Sequence, residues 1–180
     1  MAFIKKKVKA SNVPTQYETL NTPEDVLRLA ESKGIQTEPL DVSDLVKALK
    51  IKIYFEPMPG DDSGSLTKNR KTGEWKMLIN SLHHPHRQRF TIAHEIGHHI
   101  KHGAFQDAFT DTTFFRNGES NKMESEANRF AAELLMPEKR FNALIESGKT
   151  KVEELADCFQ VSSMAVRIRA KQLGYEGHNV

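Results

Sequence analysis

The sequence of 180 residues has a single cysteine, almost no excess of either charge and no long apolar run. Because Cys158 stands alone, a disulfide framework and a zinc cluster built from thiolates are both excluded. The net charge of +2 neither requires nor excludes a nucleic-acid partner. No apolar segment approaches the length that spans a bilayer, and the Lys-rich start lacks the apolar region of a signal peptide. We therefore expect a cytoplasmic protein with no membrane partner.

What the sequence does contain is a concentration of histidine. Seven of its eight histidines lie within residues 83–102, and four of these are in RFTIAHEIGHHIKH, residues 89–102. The pattern HEIGH places His94 and His98 on one helix face, with Cβ atoms about 5–6 Å apart. Both imidazoles can then bind one metal ion at about 2.0–2.1 Å. Glu95 points toward the same cavity and can take a proton from water without being a ligand, so it is the predicted catalytic base.

A histidine pair at this spacing can also be part of a solvated helix face, so its surroundings matter. The pattern lies in an apolar stripe, which a solvated face would lack. Gly97 inside the helix costs about 0.5–1 kcal/mol relative to alanine, which suggests that another element packs closely against it. The sequence therefore predicts a buried metal-binding helix, with a stripe formed by Phe90, Ile92, Ala93, Ile96 and Ile100.

A catalytic zinc ion needs a third protein ligand, and MESEANRFAAELLMP, residues 123–137, is the candidate segment. At helical spacing, Glu124 lies about 50° from the centre of its apolar face and Glu126 about 110° away. An unpaired inward carboxylate would be costly, and a metal ion removes that cost. Glu124 is therefore the predicted third ligand, with Glu126 and His102 as alternatives. Asn128, one turn after Glu124, is a candidate to orient a ligand imidazole.

The remaining pattern predicts an α+β protein, mainly helical, with a small antiparallel sheet of three strands. The strands are IKIYFEPM, GSLTKN and EWKMLIN, and the last was a candidate edge for binding an extended substrate. An N-terminal helix is expected after Thr22, with Pro23 in its first turn. We expect a flexible tail over residues 1–20, a metallopeptidase domain over 21–148 and a C-terminal subdomain over 149–180 that packs on the peptidase.

Together, RFTIAHEIGHHIKH and ESEANRFAAELLMP resemble the ImmA/IrrE family of zinc metallopeptidases. The resemblance covers roughly residues 20–148, and the C-terminal part also fits. It implies a gluzincin-like site in which His94, His98 and Glu124 bind one zinc ion per chain, with Mn²⁺ as an alternative metal, and Glu95 is the base. It further implies an endopeptidase that cleaves a helix-turn-helix repressor of the XRE type, which would release stress-response or mobile-element genes.

The C-terminal segment KVEELADCFQVSSMAVRIRAKQLG is similar to DNA-binding helix-turn-helix units. Gln160 stands where such units usually have glycine. Arg167, Arg169 and Lys171 can meet phosphates, but they can equally form a solvated face. The alternative to a peptidase is therefore a DNA- or protein-binding regulator whose zinc site is inactive or structural. We expect this segment to serve the peptidase rather than to bind DNA.

Overall fold

The computed structural model describes residues 20–104, 106–110 and 118–175, which form an α+β fold, as predicted. The predicted tail lies outside the described residues except for Leu20, which packs against the core. None of the described helices combines the length and the apolar composition needed to cross a bilayer. In chain order, the described elements are α1 (Pro23–Ser32), α2 (Val42–Ala48), β1 (Ile51–Glu56), β2 (Gly64–Lys68), β3 (Trp75–Asn80), α3 (Pro85–His102), β4 (Ala108–Thr110), α4 (Gly118–Leu135), α5 (Glu138–Glu146), α6 (Val152–Phe159) and α7 (Ser163–Gln172).

The start of α1 is fixed by a capping box. The Thr22 hydroxyl accepts a hydrogen bond from the Asp25 amide at 3.2 Å, and the Asp25 carboxylate accepts one from the Thr22 amide at 2.9 Å. Two helix-terminal donors are thereby satisfied, and Pro23 occupies a position where no backbone donor is needed. The predicted N-terminus of this helix is confirmed.

The sheet differs from the predicted antiparallel three-stranded arrangement. Its order is β1-β3-β2-β4, in which β1 is parallel to β3 while β2 is antiparallel to both β3 and β4. The three predicted strands are present. The fourth strand, β4, was not predicted, because its three residues are too few to show an alternating pattern. Because β3 lies between β1 and β2, the prediction that it offers a free edge is wrong.

In the core, α3 packs against β2 and β3 of this sheet, and α4 packs along α3. At their contact, a Cβ built on Gly97 would lie 3.2 Å from the Cα, and 3.2 Å from the carbonyl oxygen, of Ala127. The close packing predicted from Gly97 is therefore present, and it brings the two predicted metal-binding segments together. Fully buried residues from several elements fill the core, among them Leu45, Leu66, Met77, Ile79, Ile96 and Leu134.

The C-terminal helices α6 and α7 belong to the same hydrophobic cluster as the rest of the chain, through residues such as Leu155, Phe159 and Val166. The turn between them passes through Gln160, whose φ of 54° lies in the left-handed region. That conformation favours glycine, which explains why helix-turn-helix units usually have one there. The side chain of Ser162 then caps α7 by accepting a hydrogen bond from the Ala165 amide at 3.1 Å.

Two buried arginines tie these C-terminal helices to the remainder of the molecule. Arg89 of α3 donates to the Phe159 carbonyl at the end of α6, at 3.3 Å. Arg169 of α7 donates to the Met136 carbonyl just after α4, at 3.0 Å. Each guanidinium donates to a carbonyl group at the C-terminal end of another helix, where no intrahelical donor is available. Arg169 is only 6% exposed, so both alternatives considered for it, a phosphate contact and a solvated face, are wrong for this residue.

Candidate metal centre

The beginning of α3 is held by side chains that flank it. The His84 ring accepts a hydrogen bond from the His86 amide at 3.2 Å and caps the helix, and Pro85 occupies the first turn. The side-chain amide of Gln88 donates to the backbone carbonyls of Asn80 and His83 at 3.2 and 2.9 Å. These contacts fix the angle at which α3 leaves β3, and hence where its histidines point.

Three potential metal ligands converge between α3 and α4. The Nε2 atoms of His94 and His98 are 3.0 Å apart. The Glu124 carboxylate approaches His94 Nε2 at 3.1 Å through Oε2 and His98 Nε2 at 3.3 Å through Oε1. Among the residues that the structure describes, this is the group of histidine, cysteine and acidic side chains with the geometry to hold a metal ion.

The spacing of these three residues fits zinc. Ligands at about 2.0–2.1 Å in a tetrahedral arrangement are separated by about 3.3 Å, close to the observed distances. Two imidazole nitrogens and one carboxylate oxygen are also the donor types that zinc accepts in hydrolytic sites, where a fourth position stays open. His94, His98 and Glu124 could therefore hold a zinc ion, and His94 and His98 are buried.

Neighbouring side chains orient both imidazoles. His94 Nδ1 lies 3.0 Å from Asn128 Oδ1, which can only accept, so the Nδ1 proton points to Asn128 and Nε2 is left for the metal. The predicted role of Asn128, to orient a ligand imidazole, requires a contact of this kind. Phe109 of β4 stacks on the ring of His98 with centroids 4.6 Å apart, which restricts that ring as well.

The orientation of His98 is set through a longer chain of contacts. Glu126 Oε2 lies 3.0 Å from His102 Nε2, and His102 Nδ1 lies 3.1 Å from His98 Nδ1. The Glu126 carboxylate accepts a hydrogen bond from the N–H at His102 Nε2, so that Nδ1 of the His102 imidazole acts as an acceptor. His98 Nδ1 must then donate, and its Nε2 is free for a metal. We call these three residues the Glu126–His102–His98 chain.

The charges in this site favour the forms of the side chains that bind metals. Burial lowers the pKa of His98, although Glu124 opposes the shift, and a neutral imidazole is the form that binds a metal. Burial disfavours ionised Glu124, but the close approach of the His94 and His98 rings outweighs burial and lowers the pKa of the Glu124 carboxyl to about 2. The hydrogen bond with His102 likewise lowers the pKa of Glu126.

Glu95 is fully buried on α3, between the two ligand histidines in sequence. A Cβ built on Gly64 of β2 would lie 3.3 Å from Glu95 Oε1 and 2.6 Å from Thr91 Cγ2. The sheet therefore approaches α3 so closely at this point that a side chain at position 64 would displace Thr91 and press on the Glu95 carboxylate. Sequence reasoning missed Gly64, and only the opening of β2 on a glycine was a signal.

The structure separates the three candidates for the third ligand position. Glu124 faces His94 and His98, whereas Glu126 faces His102, which contacts the side of His98 opposite its Nε2. The two alternatives are thus paired with each other. Their partnership could not be read from the sequence, because the two residues lie 24 positions apart.

Comparisons with known proteins show which proteins this chain is similar to. A family model described as the IrrE N-terminal-like domain matches residues 46–171. The chain is 30% identical over 121 residues to Metallopeptidase ImmA of Bacillus subtilis (strain 168), which covers 64% of this chain and 66% of that protein. It is 41% identical over 92 residues to Radiation response metalloprotease IrrE of Deinococcus radiodurans, covering 48% and 28% respectively.

The chain thus spans just under two thirds of the first relative and less than a third of the second. Among solved structures, the fold is similar to a Mycobacterium tuberculosis transcriptional regulator, with a TM-score of 0.61 at 18% identity. That match covers 88% of this chain and 48% of the other, and it shows likeness of fold alone.

Proposed function

Because this chain belongs to the ImmA/IrrE family of metallopeptidases, we propose that it is a zinc-dependent endopeptidase. The observation that carries the proposal is the convergence of His94, His98 and Glu124, with Glu95 buried on the same helix as both histidines. The two named relatives are a metallopeptidase and a metalloprotease, which supports a polypeptide as the substrate.

In the proposed reaction, the three ligands hold zinc and Glu95 moves the proton. Bound zinc would polarise the peptide carbonyl and acidify the attacking water. Glu95 accepts one proton from that water while the water oxygen forms a bond to the carbonyl carbon. The same residue then gives the proton to the nitrogen as the carbon–nitrogen bond breaks, so that an acid and an amine leave. Asn128 and His102 keep the ligand imidazoles oriented throughout.

The natural substrate that we propose is a helix-turn-helix repressor of the XRE type, so that cleavage would derepress stress-response or mobile-element genes. The support is the family resemblance, together with one relative named for a radiation response. A regulator with an inactive or structural zinc site is the competing proposal. Burying a carboxylate such as Glu95 is costly, and a purely structural site gives no reason to do so.

Incubation with a repressor tests the proposal directly. The purified chain is mixed with the helix-turn-helix repressor encoded beside its gene, and the products are identified by mass spectrometry. We expect one cleavage that stops when a chelator removes the metal and resumes when zinc is restored. A repressor that stays intact with the zinc-loaded chain, while both proteins bind each other or DNA, would favour the regulator instead.

A further inference from the structure

A groove beside the metal centre is walled by helices α3, α4 and α7. It has a volume of about 600 Å³, within the range of sites that bind ligands. Phe90 of α3 and Ala165 and Ile168 of α7 give it apolar walls, while Glu124 and Asn128 of α4 also line it. Since Glu124 is a proposed metal ligand and Asn128 orients another, the groove borders the metal centre.

The α7 wall of the groove is held firmly in place. Arg169 on its buried side donates to the Met136 carbonyl, and the preceding helix is tied to α3 through Arg89 and the Phe159 carbonyl. Residue Arg89 directly precedes Phe90, which lines the groove from the other side. The same contacts that anchor the C-terminal helices therefore set the width of the groove.

Helix α7 carries apolar side chains on two sides, and only one side is needed for the core. Ala165, Val166 and Ala170 are buried, whereas Ile168 is 51% exposed and lies in the groove. Covering the exposed part of Ile168 removes apolar surface from water, so the binding of an apolar group in the groove would be favourable. Isoleucine has no donor for phosphates or base edges, and Arg129, which also lines the groove, is paired with Glu133 at 2.9 Å. Both observations argue against a nucleic acid as the occupant.

From these observations we propose that the groove is a substrate subsite that takes an apolar side chain close to the scissile bond. Helix α7 would then determine cleavage specificity through Ile168, rather than read DNA. The inference rests on the peptidase function proposed above, because it assumes that a polypeptide reaches Glu124. The occupant to which the groove is suited is the apolar part of an unfolded or flexible segment of the substrate protein.

The test compares two changes on the same helix. Ile168→Gln makes the groove polar, and Met164→Gln is the matched control, since Met164 is 64% exposed but does not line the groove. Cleavage of short random-sequence peptides is followed by mass spectrometry. The parent and Met164→Gln should prefer large apolar residues beside the cut. Ile168→Gln should lose about tenfold or more in kcat/KM for those peptides, while zinc affinity and thermal melting stay unchanged.

A second measurement separates failure of the subsite from failure of the peptidase function. Binding of the same peptides is measured with the zinc-loaded Glu95→Gln protein, with and without Ile168→Gln. One outcome is that the parent cuts no peptide, yet apolar peptides bind and Ile168→Gln weakens their binding. The subsite then stands and the peptidase function fails. Equal preference and equal binding with and without Ile168→Gln would overturn the subsite. The subsite would also be overturned if Ile168→Gln weakened the binding of duplex DNA and left peptide binding unchanged, because α7 would then read DNA.

Discussion

Glu95 is the side chain on which the proposed chemistry depends most directly. Replacing it by glutamine keeps the size of the side chain but removes the group that accepts a proton. We expect Glu95→Gln to fold and to bind zinc as the parent does, while the cleavage rate falls by about 100-fold or more. Metal content and proteolysis are measured on the same preparation. A variant that cuts at close to the parental rate would show that the base lies elsewhere.

A separate prediction concerns the contribution of the Glu126–His102–His98 chain to metal affinity. His102→Phe keeps a ring but removes the acceptor that fixes the protonated nitrogen of His98, so zinc affinity should fall by about 10- to 100-fold. Glu126→Gln should have a smaller effect in the same direction. Competition with a chromophoric chelator measures both. Glu133→Gln is the control, because it removes a carboxylate from the same helix that contacts Arg129 and Arg169 rather than a histidine.

The double variant decides whether Glu126 acts through His102. If it does, Glu126→Gln should change zinc affinity little once His102 has been replaced, because the chain is already broken. Full additivity of the two losses would contradict this arrangement.

At the scale of elements, the contact between α3 and α4 brings the ligands together, and Gly97 sets its distance. The extra carbon atoms of Gly97→Val have no space beside the Ala127 backbone, so the helices must separate. We expect about 1–3 kcal/mol less stability toward unfolding, and weaker zinc binding because Glu124 moves away from the histidines. Chemical denaturation with and without zinc measures the two effects.

Gly97→Ala provides a graded comparison. It adds one methyl group, and its better helix propensity offsets the crowding by about 0.5–1 kcal/mol. Its loss of stability should therefore be much smaller than that of the valine variant. Equal losses in both variants would mean that crowding at Ala127 is not the cause.

Local signals in the sequence predicted some elements well and pairings between them poorly. The capping residues Thr22 and Pro23 located α1, and the histidine spacing located the metal-binding face of α3, because each signal lies within one helix. The parallel pairing of β1 with β3 and the contact of His102 with Glu126 depend on which distant segments meet. Nothing in a single sequence states that, and a strand of three residues such as β4 carries too little pattern to detect.

For the molecule as a whole, the basic residues of α7 have different roles. Arg167 and Lys171 are exposed, whereas Arg169 is buried against Met136 and Glu133. We expect the double change Arg167→Ala and Lys171→Ala to leave stability, zinc content and cleavage unchanged. Arg169→Gln should lower the free energy of unfolding by about 1–3 kcal/mol, because the Met136 carbonyl loses its buried partner. Thermal melting and zinc analysis of both variants check this.

DNA binding by the parent protein at low salt completes that comparison. Weak binding without sequence preference is the expected result, since two exposed cations on one helix give little attraction to a duplex. Tight, sequence-selective binding that disappears in the Arg167 and Lys171 variant would assign α7 to DNA recognition.

The anchoring of α6 by Arg89 has a consequence for modularity. Arg89 belongs to the helix that carries the metal ligands, yet its hydrogen bond ends on the carbonyl of Phe159, 70 residues later. The C-terminal helices are therefore not an independent module that can be exchanged between relatives. A chimera that takes this pair from a relative would keep the geometry of α3 only if the incoming helices present a carbonyl to Arg89 and an arginine to the Met136 carbonyl.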